Sequence, residues 1–427
     1  MQQPFIISIV PAKTAGVEQK AGSKVMTVQE PLRREHTVNS PFQFFNPGSV
    51  SPLDQGRSAS ATLLCFSHLR WDFVFQRPQH LLGHAAVSYR VYYIEEPDFA
   101  PVSPHFRMKI AQSGVTVLTP VFDHTADHAH ETRTLVKSLQ SSLGGSPQVH
   151  WFYTPMAMKF AGDLDCDLRV YDCMDELSAF RFAPPDLVKM EEELLSSAKL
   201  VFTGGQSLFA VKRQRHPDVH LFPSSVDVAH FGRARTPLPD PQDQAAIASP
   251  RIGYFGVIDE RMDLAMVDHA AHEMPDVQFV MLGPVTKIEP QNLPRRANIH
   301  WLGRKDYAEL PAYIANWQAA WMPFALNDST RFISPTKTPE FLAAGRQVTA
   351  TAIADVVTPY GKQGMVRIAD INSVVAALRE SLLPPAPEWQ RSVDQCLAAM
   401  SWHDTWARMQ GLMASRTRVI SRVLEGV

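Results

Sequence analysis

The sequence has little cysteine and no long uninterrupted apolar run. Its four cysteines, at positions 65, 166, 173 and 396, are widely separated, and none forms a Cys-x-x-Cys pair. This pattern favours neither a disulfide framework nor a structural zinc site, so we expect a reducing cytoplasm. The longest apolar stretches fall well short of the roughly 18 residues of a membrane span, and the apolar run near the start is too short for a signal sequence. We therefore expect a cytoplasmic protein, for which peripheral association with the inner face of the membrane stays open.

The chain also lacks a strong net charge. Lysine and arginine total 41 and aspartate and glutamate total 43, which gives a formal charge of −2. This balance gives no electrostatic reason to expect nucleic acid as a partner. With 427 residues, of which 45% are apolar, the chain is long enough for two or three domains with cores of their own.

Apolar strand patterns alternate with helical patterns in two series, which predicts two α/β domains. Short apolar runs at 62–66, 90–94 and 168–171 alternate with helical segments such as 78–86, as in βαβ units with a parallel sheet. The predicted organisation is a poorly ordered extension (1–58), a first domain (59–234), a Pro-rich linker (235–250), a second domain (251–400) and a C-terminal helix that packs back across the domains (401–427). Such domains would face each other across a cleft at the carboxyl ends of their strands, where ligands bind.

The most informative stretch is SPTKTPEFLAAGRQVTAT, at positions 334–351. A hydroxyl side chain and prolines suit the start of a helix at about 336–344, and a glycine suits its end. Two residues spaced i and i+3, a lysine and a glutamate, lie on one face of its first turn, where a phosphate and a hydroxyl-bearing sugar could bind. A surface Lys/Glu pair is the alternative. The donor-side candidates in this stretch are Ser334, Pro335, Thr336, Lys337 and Glu340.

Two further groups of residues belong to the predicted cleft. Gly253 and Gly256 follow the linker and could let a diphosphate approach the backbone, although simple helix–strand packing also explains such glycines. In the first domain, polar residues and a tryptophan crowd the loop after the first strand, and a D-x-x-D motif ends a later strand. The loop is predicted to bind the acceptor or to supply acid–base chemistry, with a tryptophan plugging the sheet edge as the alternative. The motif is predicted to contact the acceptor, with a helix cap or a metal site as alternatives. The predicted acceptor-side residues are His68, Arg70, Trp71, Asp72, Arg77, Asp172 and Asp175, and no metal site is predicted.

Four segments together carry a resemblance to a known family. They are the stretch at 334–351, SHLRWDFVFQRPQHLL at 67–82, VYDCMDELSAF at 170–180 and IGYFGVIDERMD at 252–263. The chain resembles GT-B glycosyltransferases of the family 4 type, particularly those of teichuronic acid and exopolysaccharide synthesis. The resemblance implies two Rossmann-like, doubly wound α/β domains that face a central cleft. It also implies transfer of a sugar from a nucleotide diphosphate sugar to a saccharide or lipid-linked acceptor, with retained configuration and without a cofactor or metal.

The resemblance also implies roles for individual residues. Lys337 would contact the donor diphosphate, Glu340 the ribose and Arg261 a phosphate, and Arg304 would lie where the nucleobase is held. Together with His68, as a base or an orienting group, Lys337 and Arg261 form the predicted catalytic set. Two departures leave the donor sugar and the stereochemistry open, because Phe332 stands where many relatives have a glutamate and their Gly-Arg pair is Gly-Val here. A nucleotide-sugar epimerase and a non-catalytic binding protein of the same fold are the alternatives.

Overall fold

A computed structural model describes residues 43–45, 61–145 and 148–417. Most of the extension predicted to be poorly ordered, 1–58, lies outside the described residues, as does the part of the predicted C-terminal helix beyond residue 417. Within the extension, Gln43–Phe45 forms a short strand at the edge of the first sheet. No helix within the described ranges is long and apolar enough to cross a membrane.

The first domain is built on a mostly parallel ten-stranded sheet. Its order is β1-β5-β6-β3-β2-β7-β8-β9-β10, with β4 beside β6. Among these described strands, β5 runs opposite to the others, and its pairings with β1 and β6 are antiparallel. The strands are β1 (Gln43–Phe45), β2 (Ala61–Phe66), β3 (Tyr89–Ile94), β4 (Asp98–Phe99), β5 (His105–Ile110), β6 (Thr116–Phe122), β7 (Gln148–Phe152), β8 (Leu168–Cys173), β9 (Leu200–Thr203) and β10 (Val219–Leu221). The helices are α1 (Arg77–Ala85), α2 (His128–Ser142), α3 (Met158–Ala161), α4 (Leu187–Ser197) and α5 (Gln206–Lys212).

The second domain has a six-stranded, fully parallel sheet in the order β13-β12-β11-β14-β15-β16. Its strands are β11 (Arg251–Phe255), β12 (Gln278–Leu282), β13 (Ile299–Gly303), β14 (Ala319–Met322), β15 (Gln347–Ala350) and β16 (Val366–Ile368). The remaining helices are α6 (Val228–Gly232), α7 (Leu264–Glu273), α8 (Leu310–Ala315), α9 (Lys337–Ala343), α10 (Ala354–Val356), α11 (Val374–Ser381), α12 (Pro387–Leu397) and α13 (Trp402–Arg416). The strand order reverses beside β2 in the first sheet and beside β11 in the second, and ligands bind at such reversals.

The chain crosses between the two cores earlier than the sequence predicts. Phe222 belongs to the first core, whereas Val226, Phe231 and Ala234 belong to the second. The Pro-rich segment 235–250 therefore lies within the second domain, and its predicted role as the linker is wrong. Gln244, which is fully buried there, accepts a hydrogen bond from the indole of Trp317 and donates one to a backbone carbonyl. These contacts hold the segment against the second core.

The chain returns to the first domain at its C-terminal helix. Helix α12 packs on α9 and the second core, but the buried face of α13 belongs to the first core. Trp406, Met409 and Met413 provide that face, and Trp406 lies against Trp151 of β7, with the ring centroids 6.0 Å apart. The second domain is therefore connected to the first by two crossings of the chain.

Candidate active site

The cleft between the two sheets holds two neighbouring cavities, and Lys337 lines both. The larger, of about 250 Å³, lies between the loop after β2 and the ends of β11, β12 and β13. The smaller, of about 110 Å³, lies between the loop after β8 and the segment that leads into α9. Ser334, Pro335 and Thr336 line the smaller cavity, so the predicted donor stretch faces the cleft.

The first turn of α9 brings a lysine and a carboxylate to the larger cavity. The helix begins at Lys337, whose Nζ donates a 2.9 Å hydrogen bond to Oγ1 of Thr336. Glu340 is only 8% exposed, and its Oε2 has no hydrogen-bond partner in the described structure. Burial raises the pKa of Glu340 to about 7, against the opposing effect of Lys337. Burial also lowers the pKa of Lys337, which is half-buried rather than exposed at the helix start.

Two glycines form the backbone wall of the same cavity. Gly256 has a φ of +146°, and a Cβ added there would lie 2.7 Å from Oη of Tyr254 and 3.1 Å from Cε of Lys337. Gly283 has a φ of +145°, and its Cβ would lie 1.7 Å from the carbonyl oxygen of Gly256. Both positions therefore exclude other residues. Gly283 was not predicted as a site residue, although its place directly after strand β12 matches that of Gly256 after β11.

Gly253, in contrast, is a packing residue. A Cβ there would lie 2.1 Å from the ring of Trp317, which covers the middle of strand β11. The predicted donor contact of Gly253 is therefore wrong, and the alternative of helix–strand packing applies.

Positively charged side chains of the second domain lie near the Asp175 carboxyl group of the first domain. Arg261 pairs with both oxygens of Asp259, at 2.9 and 2.7 Å, and lines the smaller cavity together with Asp175. Burial raises the pKa of the Asp175 carboxyl, and the positive charges of Arg261, Lys287 and Lys337 oppose that rise. The structure thus places Asp175, a predicted acceptor residue, beside Arg261, a predicted phosphate-binding residue.

Lys287 is a further positively charged residue near the cleft that was not predicted from the sequence. Its Nζ lies 4.7 Å from the ring centre of Phe180 and 3.6 Å from Oε1 of Glu260. Its φ of +58° is uncommon for a residue other than glycine and is found more often at functional sites. The sequence could not predict this conformation, because the backbone of a lysine in an irregular loop depends on the surrounding fold.

The loop after β2 contributes to the larger cavity and contacts the second domain directly. Nη2 of Arg304 donates a 2.6 Å hydrogen bond to the backbone carbonyl of Asp72. Trp71 and Asp72, two predicted acceptor residues, line this cavity together with Arg304, a predicted donor residue. Arg304 lines the larger cavity, and its predicted place beside the nucleobase stays a prediction.

Three other predicted acceptor residues have structural roles. Arg77 and Asp172, which are 2% and 0% exposed, form two hydrogen bonds of 3.0 and 2.8 Å, and Arg77 also donates to the carbonyl of Phe222. Arg70 is bound to Glu95 at 3.1 Å and to Asp98 at 2.7 Å. Asp172 is fully buried and lines neither cleft cavity, so its predicted acceptor contact is wrong. Arg77 also lines the smaller cavity, so its predicted acceptor contact stays a prediction. The sequence could not reveal this pair, because its members are 95 positions apart.

His68 lies outside both cleft cavities. It lines a separate cavity of about 760 Å³ in the first domain. Its Nδ1 is buried without a hydrogen-bond partner in the described structure. Burial, assisted by the charge of Lys287, lowers its pKa to about 4, so the imidazole is neutral at neutral pH. Across the described ranges, no group of three or more His, Cys, Asp or Glu side chains is arranged to hold a metal ion.

Comparison with solved structures identifies the fold. An Escherichia coli trehalose-6-phosphate structure bound with UDP-2-fluoro glucose superposes with a TM-score of 0.64, at 10% sequence identity, over 83% of this chain and 99% of the other. The chain has the GT-B fold. Sucrose-phosphate synthase from Thermosynechococcus elongatus gives 0.60 at 14% identity, over 82% and 98% of the two chains. Anabaena Alr3699/HepE, in complex with UDP and glucose, gives 0.57 at 14% identity, over 83% and 100%. The two-domain fold implied by the sequence resemblance is therefore confirmed.

Sequence comparison gives a relative that matches only part of the chain. The chain is 25% identical over 241 residues to a teichuronic acid biosynthesis glycosyltransferase of Bacillus subtilis, TuaH. The match covers 52% of this chain and 60% of that protein, so the chain spans about three fifths of the relative's length. No family model matches the sequence.

Proposed function

We propose that the protein is a glycosyltransferase that moves a sugar from a nucleotide diphosphate sugar to a saccharide or lipid-linked acceptor. One observation carries the proposal. Half-buried Lys337 and buried Glu340 face a single cavity, whose wall is the backbone of Gly256 and Gly283. The lysine supplies charge for a diphosphate, the carboxylate can accept hydrogen bonds from ribose hydroxyls, and the glycines leave room for both.

The proposed chemistry is stabilisation of the leaving phosphate. As the bond between the anomeric carbon and the phosphate oxygen breaks, negative charge develops on the phosphate, and Lys337 and Arg261 lie at the cleft to stabilise it. The acceptor hydroxyl then forms the new bond on the same face and passes its proton to the departing phosphate, so that configuration is retained. The resemblance to retaining family 4 enzymes supports this stereochemistry. Cationic side chains take the part that a divalent metal has in other transferases, so we propose that no metal or other cofactor is needed.

The similarity to the Bacillus subtilis protein supports an acceptor from cell-surface polysaccharide synthesis. The UDP compounds named for the E. coli and Anabaena structures make UDP-sugars the first donors to test. Such donors and acceptors would place the reaction at the cytoplasmic face of the membrane, with the enzyme associated peripherally.

The test is a panel of UDP-, GDP- and dTDP-sugars, examined first by thermal shift and calorimetry and then for donor consumption with and without acceptor saccharides. We expect one nucleotide class to bind and turnover to persist in the presence of a chelator. Lys337→Ala and Glu340→Gln should weaken binding or turnover, whereas Lys362→Ala, an exposed lysine outside the cleft, should not. Product formed from the donor alone would instead identify an epimerase, and binding without turnover would identify a non-catalytic protein.

A further inference from the structure

The cavity beside His68 is distinct from the donor cleft but adjacent to it. It lies at the carboxyl ends of β2, β3 and β7, and its volume of about 760 Å³ is within the range of small-molecule sites. Lys287 connects the two regions electrostatically, because its charge acts on the pKa of His68 in this cavity and on the pKa of Asp175 in the cleft. The loop after β2 also borders both regions, because Ser67 and His68 line this cavity whereas Trp71 and Asp72 line the larger cleft cavity.

The cavity wall combines apolar surface with a few polar groups. Phe99, Met156 and Phe160 provide apolar contacts, and His68 brings a buried nitrogen that has no partner among the described residues. Glu96 adds a carboxyl group whose pKa burial raises to about 7, so this group is mostly ionised only above that pH. Apolar and aromatic walls with few polar groups suit a sugar ring, whose C–H faces pack on apolar surface while its hydroxyls form hydrogen bonds.

The positive charge in the wall is already paired. Lys159 is the one lysine or arginine among the residues that line this cavity, and its Nζ lies 2.9 Å from Oδ2 of Asp186. The start of α2 also faces the cavity, but Asp127 accepts hydrogen bonds from its free amides, those of residues 129 and 130, at 3.1 Å each. An anionic group entering here would meet carboxylates and would find no unpaired lysine or arginine in the lining.

We propose that this cavity holds the acceptor sugar and selects one without a phosphate or carboxylate, that is, a neutral or amino sugar. The inference rests on the proposed glycosyltransferase function and specifies its acceptor. Hydroxyl or ammonium groups can donate to Glu96 and to Nδ1 of neutral His68. A phosphate or carboxylate would be placed against like charge in a partly dehydrated site, where repulsion is strong. In a lipid-linked acceptor, the phosphates would have to remain outside the cavity.

The test uses the full chain at pH 8, where Glu96 is mostly ionised, saturated with UDP or with whichever nucleotide the panel identifies. The measurement is saturation-transfer NMR with three probes. These are methyl α-glucopyranoside, glucosamine and glucose 6-phosphate. We expect the first two to bind at least about tenfold more tightly than the phosphorylated sugar, a difference of about 1.4 kcal/mol. Glu96→Lys should reverse this order, whereas Glu192→Lys, which makes the same change of charge on an exposed face of α4, should not. Ala129→Trp should fill the cavity and remove binding of all three sugars without changing the affinity for the nucleotide.

Several results would overturn the inference. These are equal or tighter binding of glucose 6-phosphate to the unmodified protein, no effect of Glu96→Lys on the order of binding, and no saccharide binding while the nucleotide binds. Calorimetry with the nucleotide on the same samples separates the two proposals. Failure to bind any nucleotide would refute the proposed function, whereas nucleotide binding with the wrong sugar preference would refute only the acceptor specificity.

Discussion

Replacement of Glu340 by glutamine should stabilise the empty protein and weaken its binding of nucleotide. The carboxylate is buried, and its pKa rises from an ordinary value of 4.5 to about 7 because burial disfavours its charge. Each unit of difference in pKa corresponds to about 1.4 kcal/mol, so ionised Glu340 lowers the free energy of unfolding by about 3 kcal/mol.

The size of the stabilisation depends on pH. Well below 4.5 the carboxyl is neutral in both the folded and the unfolded chain and imposes no cost. As the pH rises from 4.5 towards 7, the unfolded chain releases this proton first, so the contribution of Glu340 to the free energy of unfolding falls. Glutamine cannot ionise, so Glu340→Gln should exceed the unmodified protein in stability by about 3 kcal/mol near pH 8 and by less than about 1 kcal/mol near pH 5.

Urea denaturation at the two pH values measures this difference, and calorimetry with the nucleotide measures the loss of affinity. Glu192→Gln, at an exposed glutamate of α4, is the matched control and should change neither quantity. A difference in stability that does not vary with pH would refute the burial argument. Unchanged nucleotide affinity would refute the ribose contact.

Four further variants test other parts of the site. Lys337→Ala should slow turnover on the order of 100-fold through loss of a charge-assisted contact, as steady-state kinetics would measure. Gly283→Ala should abolish nucleotide binding in calorimetry, because its Cβ would lie 1.7 Å from a backbone oxygen; Gly364→Ala, also at positive φ but with open space around it, should bind normally. Asp172→Ala should lower the free energy of unfolding by about 3 to 5 kcal/mol, because it leaves a buried charge unpaired, as denaturant titration would show. His68→Ala should reduce transfer but spare nucleotide affinity, and it should leave the pH–rate profile above about pH 5 unchanged, because the pKa of His68 is about 4.

Each of these expectations can fail in a distinct way. Unaltered kinetics of the lysine variant would remove Lys337 from the mechanism. Normal nucleotide binding by Gly283→Ala would show that the backbone there does not form the donor wall. A small loss of stability in Asp172→Ala would mean that the buried pair is not needed for folding. Equal damage to nucleotide affinity and transfer in the His68 variant would place that residue in the donor pocket or the folding core.

Sequence patterns predicted the regular elements of the fold well, because buried parallel strands are continuous apolar runs. The apolar runs at 62–66, 90–94 and 168–171 all lie within strands of the structure, β2, β3 and β8. The strand at His105–Ile110 was missed; it is only partly buried and alternates between intermediate and buried positions, a weaker signal. The chain crossing was also misplaced, because a Pro-rich composition does not reveal that residues 235–250 pack on the second core.

The donor side of the site was more predictable than the acceptor side. Lys337 and Glu340 lie on one helical turn, so local spacing alone brings them together. The acceptor-side residues depend on contacts between distant parts of the chain. Arg77 and Asp172 neutralise each other, which only the fold could show, and Glu96 and Lys287 carry no local motif that distinguishes them from ordinary surface residues.

The return of α13 to the first domain affects how the two halves can move. The second domain is an insertion held at both ends, by the crossing near residues 223–225 and by the crossing near Ser401. Two connections between the domains favour rotation about the axis that joins them and restrict rotation about other axes. We therefore expect the cleft to open by a hinge rotation about one axis, which would separate Arg304 from the backbone carbonyl of Asp72. It also follows that truncation before α13 would uncover the core of the first domain, so neither half could be isolated by a single cut.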